Sequence, residues 1–215
     1  MSRKTKQPKF KRRADERPKE VLDAALTLFT KQGYAKTTVD QIAREAGLSK
    51  GTVYLYFASK EALLEGLVTR TVVSVTGSVF DAMHGYRGDP RPVIARFMQT
   101  ITALMGDPMK SAVPLLVFRE APAAPAIAAL YRKAVLNRAL PAITALLAQG
   151  VSGGYIRDID PELTTRTVIG PFVAHLILSA IFDIEPEGGL QLDRLVENHL
   201  TILFAGLEPV GKDRA

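Results

Sequence analysis

Residues 37–61 read TTVDQIAREAGLSKGTVYLYFASKE, and the punctuation of this stretch decides the fold. Thr38 and Gln41 stand in the S/T-x-x-E/Q relation of a capping box, which starts a helix at Val39. Ile42, Ala43 and Ala46 then fall on one face at helical spacing. Gly47 ends that helix, because the residue beyond a C-cap usually takes a left-handed backbone that is free of steric cost only for glycine. Ser49 caps a second helix, in which Val53 and Phe57 turn inward with Leu48. Lys50, Gly51, Thr52, Tyr54 and Tyr56 are left on the other side. Two short helices, a glycine turn between them and a basic, aromatic outer face on the second predict a helix-turn-helix.

That outer face has the chemistry to read a duplex. Lys50 can donate to guanine O6 and N7, and Thr52 offers a hydroxyl or a methyl that meets the thymine methyl. Gly51 lets the helix backbone approach the groove, at a helix cost of ~0.5–1 kcal/mol relative to alanine. With Tyr54 these are the expected base contacts. Thr37, Thr38, Ser49, Tyr56 and Lys60 are the expected phosphate contacts, fixing register without reading sequence. Lys60 sits in the first turn of the next helix, beside free backbone N–H groups. Taken singly, each of these residues also reads as an ordinary solvated one.

The stretch GYAKTTVDQIAREAGLSKGTVYLYFASKEALL closely resembles the DNA-binding segment of the TetR (tetracycline-repressor) family of bacterial transcription regulators. The match runs from about Pro18 to Leu67 on the pattern T-x-x-x-I-A-x-x-A-G-x-S-x-G-x-x-Y-x-Y-F-x-x-K-E. The rest of the chain resembles the family only in length and helical pattern. The resemblance implies a cytoplasmic, homodimeric regulator, most often a repressor, that binds a palindromic DNA operator and is released by a small-molecule effector. It implies no cofactor, no metal and no membrane.

Charge is distributed to match. Residues 1–60 carry 14 Lys+Arg against 6 Asp+Glu, a net of +8, while residues 61–215 carry a net of −2. A basic head on a near-neutral body is the footprint of a module that meets phosphate. There is no cysteine, hence no disulfide, no thiolate nucleophile and no Cys-based metal site, in keeping with a reducing compartment. The basic N-terminus lacks a following apolar segment and does not read as a secretory signal. The longest near-apolar run, residues 168–182, falls short of the ~18 a membrane span needs and reads as a buried helix.

The expected domains are a disordered basic arm (1–13), a helix-turn-helix domain (14–61) and a helical effector-binding and dimerisation domain (62–215), all-α with about nine helices. Within the arm, Arg3, Lys4, Lys11, Arg12 and Arg13 are candidates to follow the backbone or enter the minor groove; a merely solubilising tail is the alternative. Pro18 suits the first turn of the first helix, whose stripe is Leu22, Ala25, Leu26 and Phe29. Ser59 caps a fourth helix, with Leu63, Leu64 and Leu67 inward, that leads from the head into the body.

In the body, Asp89-Pro90 is a boundary, and residues 106–114 read as a break. Residues 126–149 form a long helix that Pro141 should kink or divide. Asp160-Pro161-Glu162 opens a helix to about Asp183, and a last stripe runs from Leu192 to about Phe204. Phe80, Met83, Phe97, Met98, Met105, Phe118 and His175 are candidate lining for an effector cavity, with plain core packing as the alternative. The penultimate helix is apolar on nearly all sides, more than one core requires. Phe172, Leu176, Leu192, Leu195, Leu200 and Leu203 are therefore candidates for the dimer interface.

No Walker A, H-E-x-x-H, G-x-S-x-G or strand-borne G-x-G-x-x-G occurs, so the sequence invites no enzymatic reading. The rival expectation is a ligand-binding helical protein with only non-specific nucleic-acid association.

Overall fold

The computed structural model describes residues 9–209, with side chains from residue 16. Among the described residues there are nine helices and no strand. They are α1 (Lys9–Gln32), α2 (Val39–Glu45), α3 (Lys50–Tyr56), α4 (Lys60–Met83), α5 (Pro90–Gly106), α6 (Pro108–Glu120), α7 (Pro125–Ser152), α8 (Pro161–Phe182) and α9 (Leu192–Leu207). The chain divides into two compact units, Met1–Val68 and Thr69–Ala215, so the boundary falls inside α4.

In the first unit, α1 buries the face Val21, Leu22, Ala25, Leu26 and Phe29 against Ile42, Val53, Leu63, Leu64 and Leu67. Each fully buried side chain of this size contributes ~1.5–3 kcal/mol. The capping box at α2 is complete: Gln41 N donates to Thr38 Oγ1, and Thr38 N donates to Gln41 Oε1. At its other end Gly47 has φ +66°. Gly47 N donates to Arg44 O and Leu48 N to Ala43 O, the paired bonds of a Schellman stop. Ser49 Oγ accepts from Thr52 N at the start of α3, and Ser59 Oγ accepts from Ala62 N at the start of α4.

α1 begins earlier than its proline. Pro18 lies inside the helix, which already includes residues 9–13 of the expected disordered arm. The Lys, Arg, Ala and Glu residues of 11–17 are good helix formers and carry the helix back past the missing N–H. Arg3 and Lys4 lie outside the described residues; Lys11, Arg12 and Arg13 fall on the helix.

The second unit is built on one core cluster that includes Phe80, Ile94, Phe97, Met98, Ile143, Leu147, Val168, Phe172, Val196 and Leu203. Three Asp-Pro pairs start its helices alike. Asp89, Asp107 and Asp160 accept from backbone N–H groups of the first turns of α5, α6 and α8, each followed by proline where no donor is needed. The break expected over residues 106–114 is confined to Asp107, where the chain bends by 96° between α5 and α6, and Pro114 lies inside α6. α7 is not divided at Pro141. Its irregularity is a π-helical turn over Arg132–Leu136, directly ahead of the Asn137 carbonyl that Pro141 cannot pair with. A second π turn, Thr69–Val73, lies in α4 within a β-branched run of poor helix propensity.

By length and composition alone, α4, α7 and α8 are each apolar enough to cross a membrane, which corrects the expectation set by residues 168–182. Half of the most apolar window of α4 is buried inside the protein, but only 22% of that of α8.

Candidate DNA-reading surface and apolar pocket

α3 turns Val53 into the core and leaves most of its length open. Lys50 and Gly51 are exposed and Thr52 is half-buried, while Tyr54, Leu55 and Tyr56 are exposed. The expected base-reading residues therefore share this short helix. Lys50 Nζ is held 3.0 Å from Asp40 Oδ2 on α2, and the bond to that carboxylate raises its pKa. The Thr52 hydroxyl lies 2.8 Å from Ser49 Oγ. A side chain at Gly51 would meet nothing closer than Ser49 Oγ at 3.8 Å, so the protein's own packing does not ask for glycine there. Leu55, 81% exposed, sits one turn beyond Gly51. Sequence reasoning passed over it, although an apolar residue on an otherwise polar outer face was a legible signal.

Two expected phosphate contacts are placed elsewhere. Thr37 is 1% exposed. Its hydroxyl donates to Gly33 O at 2.8 Å and accepts from Gln32 Nε2 at 3.2 Å, so it closes the α1–α2 loop. Lys60 Nζ donates to Tyr34 O at 2.9 Å, Thr37 O at 3.1 Å and Ala35 O at 3.4 Å. It also sits 4.3 Å from the centre of the Tyr34 ring. Its three N–H bonds are committed to that loop, which their 23–26-residue separation hid from sequence patterns. Tyr34 packs on Phe29, and its hydroxyl donates to Glu61 Oε1. Burial, followed by the Glu61 charge, pushes the phenol pKa well up. The Glu61 carboxyl is held down by its own backbone N–H and the Ser59 hydroxyl. Thr38, Ser49 and Tyr56 remain on the exposed surface.

The second unit holds a partly open apolar pocket of about 120 Å³ among α4 to α8. Phe80, Phe97, Met105 and Phe118 line it as expected. Met83 and Met98 do not; they are buried in the surrounding core. His175 lies away from it, half-buried, its Nε2 donating to Leu190 O. A groove of about 1280 Å³ along α5, α6 and α9 is larger, but it is open and its lining is mixed. The smaller, almost wholly apolar pocket is the better candidate for a retained ligand.

Four expected interface residues are spent inside the subunit. Phe172, Leu176, Leu192 and Leu203 are 2–7% exposed, and they belong to the core cluster. Leu195 and Leu200 are partly buried against it. The exposed large apolar residues around the end of α8 and on α9 include Leu178, Ile181, Phe182, Ile184 and Ile202. His199 also faces inward, its Nε2 donating to Val168 O at 2.9 Å, so the stripe of α9 packs into the subunit's own core.

Comparison with known proteins agrees with this arrangement. Residues 21–67 match the family model for bacterial regulatory proteins of the tetR family, and residues 87–196, half the chain, match the tetracyclin repressor-like C-terminal domain. The chain belongs to the TetR family of DNA-binding transcriptional regulators, a family of regulators and not of enzymes. It is 27% identical over 173 residues to the HTH-type transcriptional regulator YhgD of Bacillus subtilis, covering 80% of this chain and 86% of that one. Its fold is similar to that of SmeT, the repressor of the Stenotrophomonas maltophilia efflux pump SmeDEF (TM-score 0.72, 23% identity, 88% and 89% covered). It is also similar to FadR of Bacillus subtilis, solved with stearoyl-CoA (TM-score 0.68, 22% identity, 88% and 99% covered).

Proposed function

We propose that the protein is a repressor that binds a palindromic operator as a homodimer and leaves it when a small molecule occupies the cavity of the second unit. The open face of α3 carries this reading. In a major groove, Lys50 meets guanine, Tyr54 and Thr52 meet base edges, and Leu55 offers methyl groups to thymine. Thr38, Ser49 and Tyr56 supply hydroxyls to phosphates. The relatives' names, a pump repressor and a regulator bound to an acyl-CoA, favour repression relieved by a ligand.

A second copy is the natural cover for the apolar surface of α8, with Leu178, Ile181 and Phe182 at its centre. Two-fold pairing would set two α3 helices on half-sites ~34–36 Å apart or a multiple of this. For induction, the effector must favour the DNA-incompetent state; moving it from 1:99 to 99:1 takes ~5.5 kcal/mol of differential affinity.

The test is selection of sites from random DNA, followed by anisotropy titrations on the selected palindrome, one half-site and scrambled DNA. Tight binding to the palindrome alone is expected, and Tyr54→Ala should weaken it by ~1–3 kcal/mol. Equal affinity for all three, with one salt slope, would instead mean non-specific association.

A further inference from the structure

The walls of the apolar pocket say what kind of molecule fits, given the reading of it as the effector site. None of its lining residues is charged. Entry of a carboxylate, phosphate or ammonium group would strand an unpaired ion in an apolar interior. Thr76 and Tyr131 are the two polar side chains in the wall. The Thr76 hydroxyl already donates to Val72 O at 2.9 Å. The Tyr131 hydroxyl has no hydrogen-bond partner among the described residues, and burial pushes its pKa up to about 12. Phe80 and Phe97, 5.8 Å apart and tilted by 43°, both line the space and offer ring faces and edges to a planar guest.

Size narrows the class further. The volume, about 120 Å³, is close to the ~150 Å³ apolar cavity that takes up benzene. It lies below the ~300 Å³ where pockets for drug-sized ligands begin. Both π turns supply wall residues, Val72 from one and Val135 and Leu136 from the other.

We infer that the effector is a small, uncharged lipophile about one aromatic ring in size, with one hydrogen-bonding group that meets the Tyr131 hydroxyl. A long acyl chain with an anionic head is outside this class.

Ligand-observed NMR titration of the full chain, without DNA, tests the inference with phenol, toluene, benzoate, benzylamine and stearoyl-CoA. Phenol should bind tightest. Toluene should follow, weaker by ~2–12-fold, the worth of one net hydrogen bond. The charged probes should trail toluene by tenfold or more. Tyr131→Phe should erase the gap between phenol and toluene. Ala139→Leu, which fills the space, should weaken both while helicity is retained. A charged probe binding tighter than phenol would overturn the inference, as would a phenol preference that survives Tyr131→Phe or binding indifferent to Ala139→Leu. Operator release is read separately by anisotropy. Phenol that binds without releasing DNA defeats the induction reading and leaves this inference standing. Release by stearoyl-CoA without any phenol binding does the reverse.

Discussion

Replacing Gly51 with alanine separates two reasons for a glycine in a helix. Space for a Cβ is open at this position, so the change should raise stability by ~0.5–1 kcal/mol. If the backbone of α3 lies close to the groove floor, the same methyl should lower operator affinity. Thermal melts and anisotropy read the two effects, and unchanged affinity would end the close-approach account. Tyr131 supplies a pH test. A phenol whose pKa rises from 10.0 to about 12 on folding keeps its proton in the folded state where the unfolded chain has lost it. Its stability contribution is complete below pH 10 and disappears as pH climbs toward 12. Melting temperature should fall across that window, and less steeply in Tyr131→Phe. An identical pH profile in the variant would rule Tyr131 out as the cause.

Among the elements, those governed by local rules were legible. The capping box, the glycine stop of α2 and the Asp160-Pro161 start of α8 depend on residues a few positions apart, and the sequence shows all of them. What could not be read is what distant residues decide. Thr37 looks like a surface hydroxyl until Gly33 and Gln32 enclose it. Lys60 looks like a phosphate ligand until its ammonium is found on three carbonyls of the α1–α2 loop. Prolines misled as well, since the helix formers ahead of Pro18 and the π turn ahead of Pro141 carry each helix past its proline. The stripe on α9 predicted a helix but left open which neighbour it faces. Lys60→Met should therefore act through the loop. It should destabilise the reading unit by ~1.5–3 kcal/mol, the range for bonds to a charged donor, and leave the slope of log affinity against log salt unchanged. A slope flatter by about one would return Lys60 to the phosphate contacts.

For the molecule as a whole, basic head and near-neutral body were visible in the charge count, and so was an excess of apolar surface on α8. Its size was not, because the sequence does not tell which residues the subunit's own core consumes. Ile181→Asp with Phe182→Glu should yield a helical monomer by light scattering, with affinity for the palindrome reduced to that for one half-site. Parent protein should melt at higher temperature as it is concentrated, and the double variant should not. A dimer that survives both changes would place the interface elsewhere.

An uncovered apolar strip on α8 also makes gene dosage a structural variable. If two copies pair through this strip as proposed, a scarce regulator exists more as single subunits, each showing Ile181 and Phe182 to chaperones and proteases. On that pairing, scarcity would shorten the protein's lifetime as well as empty the proposed operator, so occupancy should fall more steeply than transcript abundance.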